Sequence, residues 1–265
     1  MTATSRPGIA RAELHRWSRE PAVLITAAVL VVLSGLLTYL VVNAAVGGAP
    51  SGNGGVQLEV GTELDADATN DQLASIPRSS LVLLAPIAAV VLGVHAAGSE
   101  MASGALLLLA ASARRLRFVF AVRAVIMLVI TAIAGAAAGA AALGAAGAGV
   151  ALNAEIAHLS AWHSAGPTIV GAAAQTVLIG LLAFGLAALT RRWVPVTIGM
   201  LVYLVALEPV LTGLLGEASV WLPGAATAQL LVPEPDLAHV VPTAAGALVF
   251  TVVAVLSLCR ERAAR

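Results

Sequence analysis

Apolar residues run along this chain in long, nearly unbroken stretches instead of alternating with polar ones at the period of a surface helix or strand. A bilayer core about 30 Å thick needs ~20 mostly apolar residues in a helix to cross it. Six stretches meet that requirement, at approximately 22–46, 79–98, 124–152, 168–190, 194–215 and 242–259. The fifth contains Glu208-Pro209, which offers an alternative end, and the sixth is only just long enough. The pattern predicts an all-α, polytopic membrane protein in which residues 1–265 form a single transmembrane domain. Residues 22–46 exceed the ~7–15 residues of a secretory signal's apolar region, so they are expected to be retained as a span.

The polar remainder divides into segments of different character. Residues 47–78, rich in Gly, Ser, Asn and acids, read as one external segment, and residues 216–241 as another. Pro223, Pro233 and Pro235 break the second, leaving it either a surface loop or a re-entrant hairpin whose backbone other protein must bury. Before the first span, a helix over 8–20 would place Ala10, Leu14 and Trp17 on one stripe and Arg11, His15 and Arg19 on the other. That is an interfacial amphipathic helix, with its apolar stripe in the headgroup boundary and its arginines toward anionic lipid or a cytosolic partner. The alternative is a basic tail that only enforces topology. In the third span Gly135 and Gly139 make a GxxxG pair, which serves either internal packing or a dimer contact.

Composition agrees with this division. Hydrophobic residues make up 60% of the chain and charged residues 11%, against ~45–50% and ~25% in soluble domains. The formal net charge is zero, which gives no general reason to expect nucleic-acid binding. Sorted by position, however, thirteen of the fourteen arginines fall on one side of the predicted spans. Only Arg78 falls on the other side, which carries Glu59, Glu63, Asp65, Asp67, Asp71, Glu155, Glu217, Glu234 and Asp236. The positive-inside rule then predicts that both termini are cytoplasmic. Lysine is absent, so the chain cannot form a Walker A loop and is not expected to hydrolyse ATP through one. A GC-rich genome accounts equally well for the missing lysine. Cys259 is the single cysteine and can form neither an internal disulfide nor a multi-cysteine metal site.

Candidate chemistry is sparse. The sequence has no HExxH, GxSxG or dinucleotide fingerprint, and His95 with Ser99 one turn later is a common chance pairing. No catalytic residue and no metal site are expected. Asp65, Asp67, Thr69 and Asp71 alternate like a calcium loop, but Asn70 and Ile76 occupy the positions of its turn glycine and terminal glutamate. Glu155, His158 and His163 read as a wet polar loop before they read as zinc ligands. Glu208 stands apart as a carboxylate inside an apolar span, ~21 Å along the helix from Val194. It marks either the outer mouth of a pathway or a helix end already at the interface, since Pro209 biases it away from helical geometry.

The segment from Glu100 to Arg123 reads EMASGALLLLAASARRLRFVFAVR. Here the chain resembles the type 2 family of ABC-transporter permeases, with Glu100, Gly104, Leu106, Leu109, Arg115 and Arg123 at corresponding places. It departs from that pattern at Ala105, Ala113 and Arg123, where the family has threonine, proline and lysine. The basic helix before span one, the six spans, the two internal termini and the long segment before span six extend the likeness over nearly the whole chain. The resemblance implies an export-type permease that pairs with a second permease chain and two cytosolic ATPase subunits, those subunits holding the ATP and magnesium. It also implies that residues 99–117 are the coupling helix. Independently, a short apolar helix from Ala105 to Ala111 between Glu100 and the cluster Arg114, Arg115 and Arg117 could enter a partner's groove. An ordinary cytoplasmic loop is the alternative. Rival readings of the whole are an ion-coupled secondary transporter, for which only Glu208 and His95 could carry protons, and a non-transporting anchor or immunity protein.

Overall fold

In a computed structural model the described residues are 15, 17, 19–46, 64, 67–103 and 116–263. Among them every regular element is helical. The long helices are α1 (Pro21–Val46), α2 (Asn70–Ser103), α3 (Leu116–Leu152) and α4 (Ala165–Thr190). α5 (Trp193–Val202) continues through a π-helical turn (Tyr203–Leu207) into α6 (Glu208–Leu215). A short helix α7 (Pro223–Ala228) and a last long helix α8 (Leu237–Ala263) complete the fold. Six helical stretches are long and apolar enough to cross a membrane, which makes the chain a multi-pass membrane protein.

α2 begins at Asn70, so residues 70–78 are helical and are not part of a loop. The cause is a capping box: Gln72 donates its backbone N–H to Thr69 Oγ1 at 3.4 Å, and Thr69 N–H reaches Gln72 Oε1 at 2.6 Å. Pro77 falls inside the helix, and Ser80 Oγ donates to the Pro77 carbonyl at 2.8 Å. The fourth and sixth spans likewise begin before their sequence estimates, at Ala161 and Leu237.

Lipid supplies no hydrophobic force between helices, so their association rests on close packing. α4 meets its neighbours where side chains are smallest. A Cβ added at Gly93 of α2 would collide with the Gly180 carbonyl of α4, and one at Gly135 of α3 with Thr176 Oγ1. At Gly139 it would sit 3.1 Å from Ile169 Cα, so both members of the GxxxG pair are pressed against α4 inside one chain. Thr176 Oγ1 also lies 2.9 Å from the Thr131 carbonyl, and Thr38 and Ser80 pair their hydroxyls at 2.8 Å between α1 and α2. A cluster including Met127, Ile179, Phe184 and Leu231 forms the main buried region. A second, of Val42, Leu64, Leu73, Ile76, Val150, Ile156 and Leu159, closes the acidic end of the bundle.

Close approach predicts opposite outcomes at two helical glycines. Gly93→Ala drives a methyl group into α4 and should destabilise the protein by ~1–3 kcal/mol. Gly144→Ala has nothing within 4 Å of its new Cβ and should be neutral or slightly stabilising. Denaturant unfolding in detergent compares the two directly.

Candidate functional site

The polar feature most firmly built into the apolar region is Glu208. α6 continues through Glu208 and Pro209 to Leu215, and Glu208 itself has helical angles, φ −64 and ψ −42. The expectation of a helix end there is therefore corrected. Pro209 lacks an N–H and its ring crowds the carbonyl four residues back. The wider π turn relieves that crowding, and the Glu208 N–H bonds to the Tyr203 carbonyl, five residues earlier.

The Glu208 side chain is 6% exposed and closes onto α7. The residue preceding α7, Leu222, has no side-chain oxygen with which to cap the helix, and Pro223 has no N–H. The Ala226 N–H bonds to the Leu222 carbonyl at 2.7 Å. The Ala225 N–H donates to Glu208 Oε1 at 2.7 Å, while Oε2 has no partner among the described residues. A carboxylate on α6 thus caps a helix that starts fifteen residues further along the chain. Gly224 is required for that approach, since a Cβ there would lie 2.6 Å from both carboxylate oxygens.

α7 and the 3₁₀ turn Gln229–Leu231 that follows it fold back onto α4. A Cβ on Gly171 would collide with the Leu230 carbonyl, so two backbones touch there. Ala226, Thr227 and Leu231 are buried. Residues 223–231 thus pack back onto α4, as the re-entrant form considered for residues 216–241 requires, while residues 216–218 and Trp221 are exposed. One turn along α4 from Gly171, Gln175 is 0% exposed, and neither its Oε1 nor its Nε2 has a partner among the described residues. An amide buried without a hydrogen bond costs ~2–7 kcal/mol. An amide in the fourth apolar run is visible in the sequence. What hides it is not, because the fold of residues 216–231 is a tertiary event.

At the arginine-bearing end, His15 and Arg19 are exposed while Trp17 is 5% exposed. Trp17 lies edge-on to His95, with ring centroids 6.2 Å apart, and Glu20 Oε1 is 3.7 Å from His95 Nε2. Trp17 is therefore packed against α2 at His95. Arg11 and Leu14 lie outside the described residues, as do Gly104, Leu106, Leu109, Arg114 and Arg115. Glu100 lies in the last turn of α2. Arg123, on α3, is 1% exposed and so is enclosed by the bundle. Glu208 and residues 104–115 belong to separate regions of the chain.

Among the described residues no group of three His, Cys, Asp or Glu side chains could hold a metal ion. His158 Nε2 instead lies 3.2 Å from the Ala68 carbonyl, and Thr69 serves the capping box. No protein-family model matches the chain, and no curated protein matches its sequence.

Removing the carboxylate should release α7. Glu208→Ala is expected to raise hydrogen exchange at the Ala225 amide at least tenfold, consistent with ~1.5–3 kcal/mol for a hydrogen bond to a charged group. Unchanged protection, read by exchange mass spectrometry of the 222–231 segment, would show that α7 is held by other contacts.

Proposed function

We propose that this chain is the membrane-spanning permease subunit of an ATP-binding cassette exporter, similar to the type 2 family. It works as a dimer with a second permease chain, identical or homologous, and with two cytosolic ATPase subunits that bind the ATP and magnesium. Both termini are cytoplasmic, and the protein resides in the cytoplasmic membrane of a bacterial cell. Its cargo is hydrophobic or amphiphilic.

The observation that carries this reading is the segment from Glu100 to Arg123 in its setting. It joins helices of 34 and 37 residues, ~51 and ~56 Å long, both longer than a bilayer core. α2 runs to Ser103 and α3 begins at Leu116, so each helix continues into this segment. A loop held between two such helices moves with them. Closure of ATPase subunits around nucleotide can then displace α2 and α3 as rigid levers. Contact of α2 and α3 with α4 carries the movement to the helix against which the re-entrant segment rests. Glu208 closes that segment on the outer side. The chain at Trp17 and Glu20 travels with α2, because both residues meet His95.

Two experiments follow. Reversing the charges with Arg114→Glu and Arg115→Glu should reduce copurification of the ATPase at least tenfold, while the same change at Arg260 and Arg262 should not. Unimpaired assembly would count against docking on residues 99–117. Glu208→Gln should change the rate of ATP-dependent export in reconstituted vesicles, and an unchanged rate would remove Glu208 from the pathway.

A further inference from the structure

Many buried hydroxyls of the bundle are satisfied, although Ser34 Oγ has no partner among the described residues. Thr176 reaches the Thr131 carbonyl, Thr38 pairs with Ser80, and Thr227 donates to the Pro223 carbonyl at 2.8 Å. Gln175, adjacent to Thr176 and just as buried, is treated differently, since both ends of its carboxamide lack a partner among the described residues. It lies ten residues from the start of α4. At 1.5 Å per residue that is ~15 Å along the helix, near the centre of a bilayer core. No water is available there to satisfy an amide in a closed bundle.

The position of Gln175 on α4 explains what keeps it covered. Residues four apart share a helix face, so Gly171, Gln175 and Ile179 form one row. Gly171 is in backbone contact with Leu230 and Leu231, and Leu231 is 1% exposed in the same buried cluster as Ile179. The cover over this row is thus the end of the re-entrant segment. Its other end is tied down by the bond from Ala225 to Glu208.

We propose that Gln175 is a concealed hydrogen-bonding position that opens to the acidic side of the membrane when the re-entrant segment lifts from α4. A carboxamide is neutral and both donates and accepts. Its ligand is accordingly an uncharged hydrogen-bonding group, water when the position first opens and then the polar part of an amphiphilic cargo. The cargo clause rests on the exporter reading, whereas the opening does not.

The test uses the full chain with Cys259→Ser and Gln175→Cys, in vesicles whose acidic side faces out. The probe is a membrane-impermeant, positively charged methanethiosulfonate, which reacts only with a thiol in contact with water. Labelling should be slow in this background and at least tenfold faster when either Glu208→Ala or Gly224→Ala is added. Val170→Cys, on the same helix and 67% exposed toward lipid, should stay unlabelled throughout. Labelling no faster than that control in both loosened variants would overturn the proposal, as would rapid labelling before the segment is loosened. A second measurement guards against misfolded variants. Gln175→Leu removes an unpartnered amide and should raise the thermal midpoint of the otherwise unaltered protein, and a lowered midpoint would reveal a structural partner and overturn the proposal. Neither measurement involves an ATPase, so failure of the exporter reading and failure of this inference are seen separately.

Discussion

Helices in a bilayer have no water to escape from, and they associate only where their surfaces can come close. In this protein that constraint falls on α4. Its Gly180 receives Gly93 of α2, its Thr176 and Ala172 receive Gly135 of α3, and its Gly185 faces Phe250 and Thr251 of α8 at 2.8–3.0 Å from the position of an added Cβ. Gly171 receives the re-entrant segment in the same way. Three spans and the outer hairpin therefore register against one helix through the absence of side chains. A movement of α2 or α3 cannot leave α4 undisturbed, because contacts between backbones have little freedom to slip. The arrangement gives the proposed cytoplasmic loop a mechanical connection to the opposite end of the molecule without a chain of charged residues through the membrane.

The ends of the bundle differ in how they are closed. At the acidic end, the capping box of Thr69 and Gln72 starts α2, and an apolar cluster including Leu64, Leu73 and Ile156 covers the helix tips. The segment before the last span is held by the Glu208 carboxylate, by the contact at Gly171, by the burial of Ala226, Thr227 and Leu231, and by the edge-on contact of Trp221 with His239. At the arginine-bearing end, Trp17 and Glu20 meet His95 of α2.

The sequence reveals the features that local chemistry decides. Apolar length marks six spans, and arginine separates the two ends, because both signals are written in consecutive residues. The start of α2 was also legible in Thr69-x-x-Gln72, but acidic and polar composition made that stretch read as a loop. Glu208 shows the opposite case. Pro209 does bias its predecessor away from helix, and the π turn at Tyr203–Leu207 absorbs the conflict, an adjustment that composition does not announce. Nor does any residue near Leu222 disclose that its helix is capped from α6. The glycine pair at 135 and 139 was visible, whereas its partner, α4, became known only from the packing. Gln175 could be seen as an amide in an apolar run, but its burial without a partner among the described residues is known only from the packing.

The exporter account turns on the segment from Glu100 to Arg123, and because this sequence has no lysine for a Walker A loop the account depends on a P-loop partner. Native mass spectrometry of the complex purified from its own membrane through a tag on this chain measures that dependence directly. The account predicts two permease chains with two copies of a P-loop protein, and ATP hydrolysis by the complex but not by this chain alone. Recovery of the chain without any P-loop protein, and with no ATP hydrolysis, would contradict it.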